Sequence, residues 1–588
     1  MVSADAGVFE PITTRTRSFL PKSSLMFAPN AMQESRHTRH VIAGWPKRPD
    51  CWRAATLREG KPVAKIEHAL LRHAHRCRTR VAKEPEVTEV LEQQRPDNAS
   101  TVEEFDVLIV GAGISGIGSA YHLKTQCPDK SFAILEAKDD IGGTWHTHRY
   151  PGVRSDSDLY TFGYRFKPWV GPPIATAAEI RKYLRDVVAE NGLDKAMRFG
   201  TFITRCSWSS ADKRWTVETR GRDGAPGRTY RANFLWMCQG YYDHENPYMP
   251  AWPGMENFKG KLVHAQKWDE NLDYTGKRVV VIGSGATAAT VIPAMADKAA
   301  HVTMLQRSPT YFFCYPNRSD LADRLREIGV DEETVHRCTR LDYLNTLKTL
   351  DRRAREEPEM VFEELKELIR QYAGPDFEFE PHFTPRYRPW QQRLAFVPDG
   401  DMFERIREGK VSAVTDTIDH FTPNGIHLGS GEDIEADIVV AATGFKLLVM
   451  GGIAFEVDGV PVDWSRTPTY RGMMFAGVPN LAWVFGYFRA AWTLRVDLLG
   501  DFVCGLLRHM DEKHMSEVDI VVPEALAGET LQPWIEDDNF NPGYLVRDMD
   551  KLPKRLGDLP EWRHSQDYWR ESKDIPAIDL DGAEFAYR

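Results

Sequence analysis

The sequence predicts an α/β protein made of two interleaved Rossmann-like dinucleotide-binding domains with a helical insertion. Three observations carry that reading. The apolar run Phe-Asp-Val-Leu-Ile-Val over 105–110 ends in the glycine turn Gly111-Ala-Gly-Ile-Ser-Gly116. The run Arg-Val-Val-Val-Ile over 278–282 ends the same way, in Gly283-Ser-Gly-Ala-Thr-Ala288. A third apolar run, 436–441, arrives late and closes on Gly444. A buried strand that meets a glycine turn and then a helix presents backbone amides and a helix N-terminus to a phosphate.

Residues 1–100 differ from the rest. They hold 17 Lys and Arg against 11 Asp and Glu, with little apolar periodicity. Three readings stay open: a disordered basic extension, a targeting presequence, or translation that begins later, with a GTG start at Val102. The first domain's opening part spans 101–257, with a second strand at 132–136. Residues 258–434 supply a linker and the second domain, interrupted at about 320–395 by a charged segment of helical pattern. Residues 435–588 are expected to return to the first domain through the strand at 436–444. The apolar stretch 481–507 reads as a buried strand and an amphipathic helix, a pattern compatible with peripheral membrane contact.

Bulk properties narrow the function. With 42% hydrophobic and 27% charged residues, the chain has the composition of a soluble globular protein. The body beyond residue 100 carries a net charge of −16, which argues against nucleic-acid binding. The eight cysteines are scattered without a Cys-x-x-Cys pair. That pattern suits a reducing, cytoplasmic compartment and argues against a zinc site. It also argues against a disulfide reductase, which needs a redox-active pair beside its flavin.

The first turn offers Gly111, Gly113, Ser115 and Gly116 as nucleotide contacts. Gly111 permits the turn, Gly113 admits a pyrophosphate, and Gly116 lets helix and strand pack closely. Glu136, 25 positions beyond Gly111, is placed to accept from a ribose. The second turn offers Gly283, Ser284, Gly285, Ala286 and Thr287. The strand that follows ends in Gln306-Arg307-Ser308-Pro309 rather than in an acid. A guanidinium pairs with a 2′-phosphate, so Arg307 and Ser308 point to NADPH.

Between the turns lies Phe258-Lys-Gly-Lys-Leu-Val-His-Ala-Gln-Lys-Trp-Asp269. Its spacing, Phe-x-Gly-x-x-x-His-x-x-x-Trp-Asp, resembles the fingerprint of type I Baeyer–Villiger monooxygenases. A second signature of that family, Gly-Gly-x-Trp-x-x-x-x-Tyr-Pro-Gly-x-x-x-Asp, is matched from Gly142 to Asp156. The likeness runs over about 105–568. It implies FAD in the first site, with Gly143, Thr144, Trp145, Asp156 and Tyr160 near it. It implies NADPH, O2 and lipophilic ketone or sulfur-containing substrates, thioamides included.

The family's flavin takes up oxygen as a peroxide that attacks a carbonyl, and a fixed cation meets the charge that forms. The matching cation is Arg393, with Asp156 as its carboxylate. The chain reads Gln392-Arg393-Leu394 where better-known members read Lys-Arg-Pro. In the linker, Phe258, Gly260, His264, Trp268 and Asp269 serve as the fingerprint. His264 is expected to couple the domains rather than move protons. Two alternatives remain at this point: a flavin monooxygenase confined to sulfur or nitrogen, and a nucleotide-binding sensor without turnover.

Overall fold

In a computed structural model, the described residues are 102–536 and 540–588. The basic leader at 1–100 and its three readings lie outside them.

The first sheet grows outward from the strand Val102–Val110, whose last four residues are buried. Such a run of Val, Leu and Ile is covered on both faces, as a central parallel strand requires. Val107 sits in register with Phe132 on one side and Phe234 on the other, both pairings parallel. The strand Leu481–Trp483 extends this parallel core beside Pro226–Met237. An antiparallel flank, Phe202–Ser209 and Arg214–Arg220, completes the nine-stranded sheet with the short strands at 454–461.

The second sheet is parallel throughout, in the order Val411–Thr415, His301–Gln306, Arg278–Ile282, Ile438–Ala441, Lys261–His264. This order corrects the expected return to the first domain. The strand within 436–444 lies at the heart of the second sheet, between Arg278–Ile282 and Lys261–His264. The chain regains the first sheet only afterwards, through Ala454–Val457 and Leu481–Trp483. The linker fingerprint is likewise part of the second sheet, as its edge strand.

The insertion is helical over its first part, in Asp320–Glu327, Glu332–Glu356 and Pro358–Ala373, whereas 374–394, also expected within it, carries no helix. Ser319 and Asp331 cap the first two by accepting from Ala322 N and Thr334 N. Arg340 ties the insertion to the first domain, donating through Nη1 to the carbonyls of Tyr160, Thr161 and Gly163.

The helix Thr493–Glu512 corrects another expectation. Fourteen of its 20 residues are buried, and it packs along Ile114–Gln126. Its apolar face belongs to the core, so it offers no surface to a membrane. No helix among the described residues is long and apolar enough to cross one. The loop 485–492 before this helix is clamped by the C-terminal segment. Arg495 pairs with Glu571 at 2.9 Å, their side chains 0% and 6% exposed. Tyr487 donates to the same carboxylate at 2.6 Å, and Gln566 bonds Phe488 N and Gly486 O.

Candidate active site

The C-terminal edges of both sheets open on one cavity of about 1000 Å³. Parallel sheets bind ligands at that edge. Of the residues singled out from sequence, Gly111, Gly113, Ser115, Glu136, Gly143, Thr144, Trp145, Asp156, Gly283, Ser284, Gly285, Ala286, Thr287, Arg307, Ser308 and Arg393 all line it.

The first glycine turn is built as its spacing demands. Gly111 adopts φ +101°, and a Cβ there would meet Cys238 O at 2.8 Å. A Cβ on Gly116 would fall 1.8 Å from Gly111 O, so this glycine serves packing beneath the cavity. Glu136 braces the turn, accepting from Ala112 N at 2.7 Å and Lys138 N at 2.8 Å. Each carboxylate oxygen keeps a further lone pair for a ribose hydroxyl. Neither the helix at Ile114 nor that at Ala286 has a side-chain cap. Their first amides therefore remain available to phosphates.

A Cβ on Gly285 would meet nothing within 4 Å. Arg307 stands at the second site without an ion pair among the described residues, beside Ser308. Ser284 Oγ is 2.8 Å from Thr310 Oγ1. Five buried polar atoms of cavity-lining residues make no hydrogen bond of normal geometry among the described residues: both ring nitrogens of His148, His244 Nδ1, Gln239 Oε1 and the Tyr544 hydroxyl. Buried polar groups in folded proteins are almost always satisfied, so a wall with this many orphans fits polar cofactors.

Arg393 and Asp156 meet here from positions far apart in sequence. Nε and Nη2 of Arg393 both lie 2.6 Å from Asp156 Oδ2. Burial works against the charged guanidinium, but the Asp156 carboxylate outweighs it and holds the pKa above the ordinary arginine value. The hydroxyls of Tyr544, Tyr242 and Tyr241 lie near the guanidinium. Tyr241 donates to Tyr242 at 2.8 Å and stacks on Trp492 at 5.2 Å. Tyr242 stacks on Phe445 at 4.1 Å. A fixed cation thus faces an aromatic wall.

Tyr160 is a correction. It is fully buried away from the cavity, where its hydroxyl donates to Gly171 O at 3.2 Å and its ring stacks on Tyr343. The linker residues also lie off the cavity. Phe258 packs edge-on against Phe421, and Trp268 joins the core beneath the second sheet. A Cβ on Gly260 would meet Asp437 O at 2.5 Å. Asp269 turns back to Asn271 N and Lys261. His264 Nδ1 accepts from Gln266 N at 3.1 Å, which leaves the Nε2 proton for Tyr248 O at 3.2 Å. Burial lowers its pKa, so the ring stays neutral. Thr443 donates to the same Tyr248 carbonyl at 2.6 Å. His264 is a brace between the edge strand and the segment entering the second domain.

Sequence reasoning missed Tyr241, Tyr242, Trp492 and Tyr544. A signal existed for the first two, because they directly follow the buried strand Pro226–Met237 and Gly240.

Comparison with known proteins decides the family. A family model described as flavin-binding monooxygenase-like matches residues 167–325, and an NAD(P)-binding Rossmann-like model matches 109–170. The chain is 43% identical over 490 residues to the FAD-containing monooxygenase EthA of Mycobacterium tuberculosis, covering 83% of this chain and 98% of that protein. The chain belongs to the flavin-binding monooxygenase family. It is 42% identical over 476 residues to the probable FAD-binding monooxygenase AlmA of an Acinetobacter species, covering 80% of this chain and 94% of that protein. Among solved structures, cyclohexanone monooxygenase from Rhodococcus sp. Phi1 bound to NADP+ superposes with a TM-score of 0.63 at 21% identity, over 83% of this chain and all of that one. That likeness speaks for the fold of this flavin monooxygenase: two dinucleotide domains facing one cavity.

Proposed function

We propose that this flavin monooxygenase uses FAD and NADPH to convert lipophilic ketones to esters or lactones, and to oxidise sulfur in thioethers and thioamides. FAD is held by the first turn, Glu136 and the loop carrying Gly143, Thr144 and Trp145. NADPH is held by the second turn, with its 2′-phosphate on Arg307 and Ser308. Bound FAD, reduced by NADPH, supplies the activated oxygen.

The observation that carries the ketone chemistry is Arg393, fixed by Asp156 at 2.6 Å on the wall shared by both nucleotide sites. A ketone oxygen gains negative charge as its carbon is attacked. A preoriented guanidinium stabilises that charge without reorganising. Asp156 keeps the guanidinium in one orientation and leaves Nη1 to the substrate. The aromatic wall of Tyr241, Tyr242, Phe445 and Trp492 holds an apolar substrate and keeps water out.

The test is product analysis with a panel of ketones under labelled O2, read by mass spectrometry. One labelled oxygen in an ester is the expected result. Sulfoxide without ester from any ketone would restrict the enzyme to soft nucleophiles.

A further inference from the structure

One wall residue stands out chemically. The Tyr544 hydroxyl is buried on a residue that lines the cavity; the Tyr241 and Tyr242 hydroxyls stand beside it, but it makes no hydrogen bond of normal geometry among the described residues. Tyr241 donates its own proton to Tyr242, so Tyr544 is the phenol of this cluster whose hydroxyl is in no well-formed hydrogen bond. Its ring packs across Tyr242 at 6.0 Å and 70°. Burial pushes the phenol above its usual pKa, so it carries a proton to donate.

Its position is held from three directions. Tyr544 belongs to the short helix Gly543–Asp548. Just before it, Asn541 N donates to Gln391 O at 3.0 Å, bolting the segment to the loop that carries Arg393. Just after it, the Arg547 guanidinium lies 3.6 Å over the Tyr248 ring. Asp548 accepts from Leu447 N at 2.9 Å. A ring required only for packing would be served as well by phenylalanine, and a buried hydroxyl without a partner costs stability. The hydroxyl is anchored beside the guanidinium that the ketone reading uses.

We propose that Tyr544 is a catalytic residue: its phenol donates a hydrogen bond to the ketone oxygen, alongside Arg393. The oxygen then meets a cation and a neutral donor, and the bond tightens as charge builds on it. A sulfide has no carbonyl oxygen and makes no use of this donor. The role rests on the ketone-oxidising function proposed above.

Tyr544→Phe in the full-length, FAD-loaded protein tests it. Titration of the oxidised protein with a ketone, followed by flavin absorbance, should show Kd rising about fivefold to tenfold. With NADPH and O2, ester yield per NADPH consumed should fall about 100-fold, the electrons leaving as hydrogen peroxide. Oxidation of a methyl sulfide by the same variant should fall about tenfold less than ester formation. A merely structural tyrosine would reduce ketone and sulfide turnover together. Equal losses on both substrates, or unchanged ketone affinity and ester yield, overturn the role. The unmodified protein is the control: if it oxidises sulfides but makes no ester, the ketone function itself falls, and this role with it.

Discussion

Replacing Arg393 with alanine is the sharpest test of how the cavity works. The guanidinium contributes a full charge held by two contacts of 2.6 Å to Asp156. At roughly 4 Å from a developing oxyanion and an effective dielectric near 20, one charge is worth about 4 kcal/mol. That corresponds to about a thousandfold in rate. Ester formation should therefore fall by about three orders of magnitude. The fold should tolerate the change, since the side chains of Arg393 and Asp156 are 33% and 26% exposed. Flavin reduction by NADPH should be nearly untouched, because the nicotinamide reaction needs no such cation. The assay pairs stopped-flow bleaching of the flavin with mass-spectrometric ester yield. Arg393→Lys should recover only part of the activity, because an ammonium cannot reproduce the paired Nε and Nη2 contacts. Ester formation by the alanine variant within tenfold of the unmodified protein would refute the reasoning.

Further outcomes follow from other parts of the structure. Arg307→Ala should weaken NADPH binding by about tenfold to 100-fold while leaving NADH nearly unchanged, as calorimetric titration would reveal. His264→Ala removes a brace on the Tyr248 carbonyl, so steady-state turnover should slow while single-turnover ester formation persists. Loss of both would mean that His264 takes part in the chemistry. Burial first, with Arg340 or Arg495 nearby, lowers His336 to about 4 and His564 to about 3. The unfolded chain protonates these rings near pH 6.5 while the folded one keeps them neutral. Stability is thus full above pH 6.5 and lost as pH falls toward 4, by up to about 1.4 kcal/mol per pH unit for each ring. Denaturant midpoints at pH 7.5, 6 and 5 measure the slope, and His564→Gln should make it shallower.

The parts legible in the sequence are those where local chemistry forces one answer. A Val-Leu-Ile-Val run into Gly111, with Gly116 set to admit a helix, allows no other local structure, and Glu136 follows at strand spacing. Arg393 and Asp156 came from a resemblance rather than from periodicity, and the structure brings them together. The return point was misplaced because a doubly buried strand such as Ile438–Ala441 reads alike in either parallel sheet. The helix Thr493–Glu512 shows a related limit. Amphipathicity states that one face is covered, not by what. Tyr160 and Tyr544 mark the deepest gap. Each is an aromatic in a short helix, and only tertiary packing turns one into the core and the other onto the cavity.

The clamp made by Arg495 and Glu571 sets the order in which the molecule is finished. The ribosome delivers the first phosphate turn at residue 111, yet the carboxylate that holds the opposite wall appears 460 positions later. Until then Arg495 is a guanidinium committed to the interior without its counter-charge, a state that costs about 3–5 kcal/mol. The wall carrying Tyr487 and Trp492 therefore cannot settle during synthesis, and flavin loading becomes a late event in the protein's life. A chain cut short before Glu571 would keep every glycine of both nucleotide turns, yet present quality-control proteases with an open-walled, cofactor-poor protein.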